Sequence, residues 1–318
     1  MSKPVVLLFE PIHDKALALL KEKAEVRMAQ SLDSTWLLQA VGDVDGIIIR
    51  ANGKVTRELM AAAPRLKVVA RHGVGVEAID RPAAAERGIT VVNTPYANDE
   101  SVAEQCMGMI VALAKRMLEA DRAIRAGDWE ARYRLIGIEV QGKTLGLVGF
   151  GKIGQRLAHM AHFGFDMPIV YHDVVAYPDQ EGRLEARRMP LPDLLAQSDF
   201  VSLHTPLLPE TKGMINETAL RSMKCSAYLI NSARGPVVDQ AALVRALREG
   251  WIAGAGLDVY DPEPLPNDSP LLSMDNVVLS PHMAAHTDEA LLRMALVVTD
   301  VLAVIEGRPP EYPVPAPR

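Results

Sequence analysis

Cysteine is nearly missing from these 318 residues: only Cys106 and Cys225 occur. Two thiols in apolar or mixed surroundings exclude a disulfide framework and are read as reduced side chains. The eight histidines show no HExxH or similar ligand spacing, so no metal site is expected. Positive charge is not in excess either. With 34 Lys and Arg against 40 Asp and Glu the net charge is -6, and such a chain has no general attraction for nucleic acid or anionic membrane. An anionic substrate must then be held by a few placed cations. No apolar run approaches the roughly 18 residues of a membrane span. Val5–Phe9 is too short for the apolar region of a signal peptide, so a cytoplasmic protein is expected. What remains is ordinary globular composition, 49% hydrophobic and 23% charged, in a length that suits two domains.

Short β-rich runs alternate with helical stretches. In the first third, strands are expected at Val5–Phe9, Gly46–Arg50, Val68–Ala70 and Thr90–Val92. Helices fall between them at His13–Lys23, Arg57–Ala63 and Arg81–Arg87, with Gly88 at a helix C-cap position. Ser101-Val-Ala-Glu104 has the spacing of a capping box and opens an apolar-periodic run that predicts one long helix to about Ile124. A second alternating series starts at Thr144. Its strands are Thr144–Val148, Ile169–His172, Phe200–His204, Tyr228–Asn231, Gly254–Val259 and Val277–Leu279. A closing helix is expected from Asp288 to Glu306, followed by a Pro-rich tail. Strand-helix alternation predicts parallel sheets covered on both faces. The predicted domains are 1–98 plus 288–318, and 99–287, with a cleft between them.

Gly149-Phe-Gly151-Lys152-Ile153-Gly154 follows the strand Thr144–Val148 and opens a helix from Ile153. The first glycine permits the tight turn, the second lets backbone approach a pyrophosphate, and the third lets helix and strand pack closely. The helix N-terminus then offers free N–H groups to the phosphates. A lone GxGxxG is a weak signal. Here Asp173 ends the next strand, 19 residues past Gly154 (173 − 154), where a carboxylate accepts bonds from ribose hydroxyls. That carboxylate would repel a 2′-phosphate, and Val174 and Val175 supply no compensating arginine. The expected cofactor is NAD.

Hydride transfer to a 2-keto acid needs a cation to orient the carboxylate, an acid to protonate the developing alkoxide, and a partner that keeps the acid charged. Three residues after predicted strands supply these. Arg234 stands in Asn231-Ser-Ala-Arg-Gly235, Glu263 in Asp261-Pro-Glu-Pro264, and His282 in Ser280-Pro-His-Met283. Loops past the carboxyl ends of parallel strands are where doubly wound sheets place ligands. His72, His172, His204 and His286 lack such company and are read as structural or pocket-lining.

At these residues the chain resembles the D-isomer-specific 2-hydroxyacid dehydrogenases, and the resemblance spans nearly the whole sequence. It rests on Arg71-His-Gly-Val-Gly75, Asn93-Thr-Pro95, the glycine fingerprint, His204-Thr-Pro206, Asn231–Gly235, Gly256-Leu-Asp-Val259 and Ser280-Pro-His282. The resemblance implies an α/β chain of two doubly wound parallel-sheet domains, a flavodoxin-like substrate domain and a Rossmann NAD-binding domain. It implies His282 as acid/base, Glu263 as its partner and Arg234 as substrate anchor. Arg50, Val74 and Gly75 are implied on the substrate. Lys152, Ile153, Asp173, His204, Thr205, Pro206, Thr211, Ser232, Ala233, Arg234, Asp258, His282 and Ala284, besides the three glycines, are implied on the cofactor. A homodimer is implied, built on the helix from Ser101, as is a small anionic 2-hydroxy or 2-keto acid substrate.

The chain departs from the family pattern at Met283-Ala-Ala-His286, which crowds the nicotinamide side, and at Gly75-Val-Glu-Ala78, which leaves the substrate open. No length follows Gly307 for a regulatory domain of the phosphoglycerate dehydrogenase kind. Two alternatives share the fold. Formate and phosphite dehydrogenases perform other chemistry, and Glu263 stands where the formate enzymes carry Gln. Corepressors that sense NAD without turnover retain similar residues, and a turnover assay separates them.

Overall fold

The structure, a computed structural model, describes residues 3–316. It divides into two compact units. One runs to Asn98 and resumes at His286; the other is Asp99–Ala285.

In the first unit the elements are β1 (Val5–Leu8), α1 (Asp14–Lys23), β2 (Glu25–Met28), α2 (Ser34–Ala40), β3 (Gly46–Ile49), α3 (Arg57–Ala62), β4 (Val68–Arg71), α4 (Arg81–Glu86) and β5 (Thr90–Val92). The strands form one parallel sheet in the order β2-β1-β3-β4-β5, the flavodoxin-like order. Alternation explains why the strands are apolar throughout. Val5, Leu7, Ile47 and Ile49 face a core with Leu37, Val41, Leu59 and Met60, while Val6, Leu8 and Ile48 face Ala16, Leu20, Val298 and Val301. Both faces are buried, so neither can be polar. β2 escaped the sequence reading because Glu-Val-Arg-Met is an edge strand with an exposed glutamate and methionine.

The second unit holds α5 (Asp99–Ala114), α6 (Met117–Arg125), β6 (Leu145–Val148), α7 (Lys152–Phe165), β7 (Ile169–His172), α8 (Pro178–Leu184), β8 (Arg187–Arg188), α9 (Leu191–Gln197), β9 (Phe200–Leu203), α10 (Glu217–Ser222), β10 (Tyr228–Asn231), α11 (Gln240–Glu249), β11 (Gly254–Leu257) and β12 (Val277–Leu279). Its parallel sheet runs β12-β11-β10-β9-β6-β7-β8. Read from β8, that is the Rossmann order with a seventh strand added, and the order reverses between β6 and β9.

Two helix expectations are corrected. The run from Ser101 to Ile124 is two helices, because Arg116 adopts a left-handed conformation (φ 52°) that ends α5 and starts α6. Ser101 does not cap α5, which starts at Asp99. The Ser101 hydroxyl lies buried inside the helix and donates to the Ala284 carbonyl at 2.6 Å. The closing helix is likewise split, into α12 (Asp288–Ala295) and α13 (Val297–Ile305), with Leu296 between them. After α13 the tail returns to the first sheet. Val314 N–H donates to Val91 O at 2.8 Å and Pro313 bridges Val92 in antiparallel fashion, so the β5 edge is partly covered.

Candidate active site

The switch point of the larger sheet is shaped by close backbone approach. Gly149 has φ 94°, and a Cβ there would lie 2.7 Å from the carbonyl of His204. A Cβ on Gly154 would lie 2.5 Å from Gly149 O. These two glycines hold the β6 turn, the start of α7 and the His204–Thr205 backbone together. Gly151 differs, for its Cβ position faces open space at the N-cap of α7. A cradle with open room at a helix N-terminus fits a pyrophosphate. The Thr205 hydroxyl is buried beside this turn without a hydrogen-bond partner in the protein.

Asp173 follows β7. One oxygen accepts from Phe150 N–H at 2.6 Å and the other from Val175 N–H at 2.9 Å. The carboxylate thus ties the glycine turn to the ribose loop, and its remaining lone pairs are free to accept hydroxyls. No arginine adjoins Asp173 in sequence, yet the fold supplies one. β8 brings Arg188 alongside, where its guanidinium donates to Asp173 O at 2.8 Å and to Val174 O at 3.2 Å. A strand of two arginines has no apolar pattern to reveal it, so this cation was invisible in the sequence.

Three loops at the carboxyl ends of β10, β11 and β12 carry Arg234, Glu263 and His282. His282 has φ 50° and its Nδ1 lies 2.9 Å from Glu263 Oε2. An ionised carboxylate cannot donate, so Nδ1 carries the hydrogen that faces Glu263. Glu263 is held in turn by Tyr260 N–H on Oε1 at 3.0 Å. Burial pushes its carboxyl up, but the bonds from His282 and Tyr260, with the charges of His282 and Arg234, outweigh burial and leave it below the ordinary 4.5. The Tyr260 hydroxyl donates to Leu257 O and Ser280 O, which pins the β11 loop to the β12 loop.

Arg234 is set by its neighbours. Asn231 Nδ2 donates to Arg234 O at 3.1 Å, and Arg234 Nη1 donates to Ala233 O at 2.8 Å. The next residue must be glycine, since a Cβ on Gly235 would sit 1.7 Å from Tyr260 O. That approach presses the Arg234 turn against the Glu263 loop.

The expected cofactor contacts divide into two groups. Lys152, Ile153, Asp173, Thr205, Pro206 and Ala233 lie on the glycine turn, the ribose loop or the loops after β9 and β10. Apart from Arg234 and His282, described above, the others use their polar groups to support loops. Asp258, only 1% exposed, accepts from Ser280 Oγ and from the N–H groups of Met283 and Ala284. Ala284 is buried with both backbone groups engaged. The Thr211 hydroxyl closes the 206–211 loop, and Ser232 pairs with the Cys106 thiol. His204 bonds Ser202, and burial lowers its pKa to about 4, so it is neutral. The side chains of Asp258, Thr211, Ser232 and His204 thus each bond within the protein and order the loops they stand on.

In the first unit, the turn after β4 holds Val74 and Gly75. Among the described residues neither N–H is given an acceptor by a neighbour, and Val74 is exposed. Thr94 clamps the turn by accepting from Gly73 N–H and donating its own N–H to Gly73 O, while Asn93 Nδ2 donates to Val74 O at 2.8 Å. Arg50 leans on Pro11 O at 3.1 Å. His72 is buried in this layer, and burial first, then the charge of Arg50, lowers its pKa to about 4. Among the described residues no metal-binding group of His, Cys, Asp and Glu is present.

A glycine-turn Rossmann sheet with an acidic residue just past its second strand marks a dinucleotide-binding domain. The model of the D-isomer specific 2-hydroxyacid dehydrogenase NAD-binding domain matches residues 107–284. A glyoxylate reductase of Thermofilum pendens is 45% identical, covering 98% of this chain and 94% of its own. A D-3-phosphoglycerate dehydrogenase of Methanocaldococcus jannaschii is 39% identical, covering 95% of this chain and 57% of its own. A crystal structure of a Thermus thermophilus protein superposes with a TM-score of 0.92 at 42% identity, covering 98% of this chain and all of that one. The chain belongs to the D-isomer-specific 2-hydroxyacid dehydrogenase family. It is an NAD-dependent oxidoreductase acting on the CH–OH group of a 2-hydroxy acid.

Proposed function

We propose that the chain reduces a small 2-keto acid of the glyoxylate or hydroxypyruvate class, with His282 as acid/base. The 2.9 Å pairing of His282 Nδ1 with a Glu263 itself anchored by Tyr260 carries this reading. NADH, when bound, supplies the hydride. The protein's part is positional and electrostatic. Arg234 grips the substrate carboxylate and polarises the carbonyl. Val74 and Gly75 offer their unengaged N–H groups to the carboxylate, and Arg50 adds positive charge in the same unit. His282 Nε2 gives its proton to the carbonyl oxygen as the hydride reaches the carbon, and Glu263 offsets the imidazolium beforehand. Asp173 takes the ribose hydroxyls. Relatives named glyoxylate reductase at 40–45% identity over nearly the full length support the small-substrate end of the class.

The test is NADH oxidation with glyoxylate, hydroxypyruvate, phosphohydroxypyruvate and bulkier keto acids. The first two should turn over with the highest kcat/KM. NADH binding without turnover of any keto acid would overturn the proposal and favour an NAD sensor.

The oligomer is read as a homodimer, with the interface centred on the C-terminal part of the Ser101–Ile124 run and the residues after it. Much of α5 lies in its own unit's core, including Val102, Cys106, Ile110 and Leu113. By contrast α6 buries none of its residues, and Leu118, Ile124, Trp129, Tyr133 and Ile136 are exposed apolar groups in and after it. Such a patch suits a subunit interface. Sedimentation of the wild type should show a dimer at micromolar concentration, and Ile136→Glu with Leu118→Glu should yield monomer. A wild-type monomer would refute it. Among the described residues no helix is long and apolar enough to cross a membrane.

A further inference from the structure

We propose that the tail segment 311–314 is a positioning strap for the substrate turn at Val74–Gly75. The inference rests on the reading of that turn as a substrate-binding element. The strap's anchor is Asp300 on α13, a carboxylate only 5% exposed. Its two oxygens accept from the N–H groups of Glu311 at 2.8 Å and Tyr312 at 3.0 Å, and no cation pairs with it among the described residues. A buried carboxylate engaged only by backbone N–H groups fixes the chain direction at that point.

From the anchor the strap lies along β5. Val314 N–H reaches Val91 O, Pro313 bridges Val92, and Tyr312 O accepts from Asn93 N–H at 3.4 Å. The Tyr312 ring meets Tyr96 edge to face, with centroids 6.2 Å apart. Asn93 is the residue whose side chain holds Val74 O, and its neighbour Thr94 clamps Gly73 on both sides. An unbroken series of bonds therefore runs from Asp300 through the strap and Asn93 to the carbonyl of Val74. Holding that carbonyl orients the peptide whose N–H belongs to Gly75. If this N–H meets a substrate carboxylate, the strap sets how well it is aimed before binding, and its loss weakens ground-state and transition-state binding alike.

Three variants test this: Asp300→Asn, a chain ended after Pro310, and Asn93→Ala as reference. The readouts are KM for glyoxylate, Kd for NADH by fluorescence, and amide exchange at Val74 and Gly75 against amides of β1 and β3. The strap predicts a KM raised about five- to tenfold in both strap variants, the scale of one or two hydrogen bonds. The expected kcat stays within about twofold, NADH affinity is unchanged, and exchange rises selectively at the turn. A purely structural role would lower melting temperature and speed exchange across the sheet while the folded fraction kept its wild-type KM; that result overturns the strap. If Asn93→Ala raises KM and neither strap variant does, the strap is wrong and the turn reading stands. If Asn93→Ala also leaves KM unchanged, the turn is not a substrate element and both fail. Should the shortened chain not fold, Asp300→Asn decides between these outcomes.

Discussion

Replacing Asp258 with Asn separates support of the acid/base loop from contact with the cofactor. The carboxylate accepts three bonds, from Ser280 Oγ at 2.5 Å and the N–H groups of Met283 and Ala284 at 2.9 Å each. It is essentially buried. An asparagine keeps one acceptor oxygen, which serves Ser280 and Met283. Its NH2 then faces the Ala284 N–H, donor against donor. One charge-assisted bond is lost and a buried N–H is stranded, a cost of about 2–4 kcal/mol. At roughly 2–4 °C per kcal/mol for a unit of this size, melting should fall by about 5–15 °C. His282 is the residue before Met283, and its own N–H donates to Asp258 O, so a loosened loop lets the imidazole wander from its partner. Reduction kcat should drop roughly tenfold or more, while Kd for NADH stays near wild type. Stopped-flow reduction, a thermal melt and fluorescence titration measure the three quantities. A variant with wild-type kcat and melting temperature but much weaker NADH binding would refute the scaffold role and return Asp258 to the cofactor site.

Three further outcomes follow from the same geometry. The Glu263 carboxyl lies below its ordinary 4.5, so its interactions stabilise the fold above the unfolded-state value and lose that contribution as pH falls through the folded-state value. Urea midpoints of wild type and Glu263→Gln should therefore differ near pH 7 and converge in acid; a pH-independent difference would remove the ionised partner. Arg234→Lys should raise KM and lower kcat together, reducing kcat/KM about a hundredfold because an ammonium cannot copy the two-point grip; an unchanged KM excludes the anchor. Asp173→Ala should narrow the NADH preference in kcat/KM, and more so with Arg188 beside the loop; a wild type that uses NADPH as readily as NADH would void the ribose assignment.

Much of this was legible in one sequence because it is written in short-range patterns. The glycine fingerprint with Asp173, and the chemistry of Arg234, Glu263 and His282, need only residue type and position after a strand. Apolar runs of four revealed strands buried on both faces. Features that depend on distant partners were hidden. Arg188 meets the ribose loop only once β8 pairs with β7. Nothing in Gly235 announces that Tyr260 O will lie against it. Ser101 looked like a cap because a capping box and a buried hydroxyl reaching a carbonyl 183 residues away share the same letters. The break at Arg116 is equally silent, since arginine is a good helix former and its left-handed conformation is a tertiary choice.

The partly covered edge of β5 has a consequence for solution behaviour. A parallel sheet that ends on Thr90-Val-Val92 offers unpaired backbone groups on an apolar strand, the kind of template on which chains pair edge to edge. The tail occupies Val91 and Val92 and brings Pro309, Pro310, Pro313 and Pro315 with it. Proline has no N–H to donate, so the covering segment closes one edge while presenting a poor one in its place. The same few residues that line β5 thus also set a stop on sheet growth, and chains lacking them should aggregate more readily than the full chain.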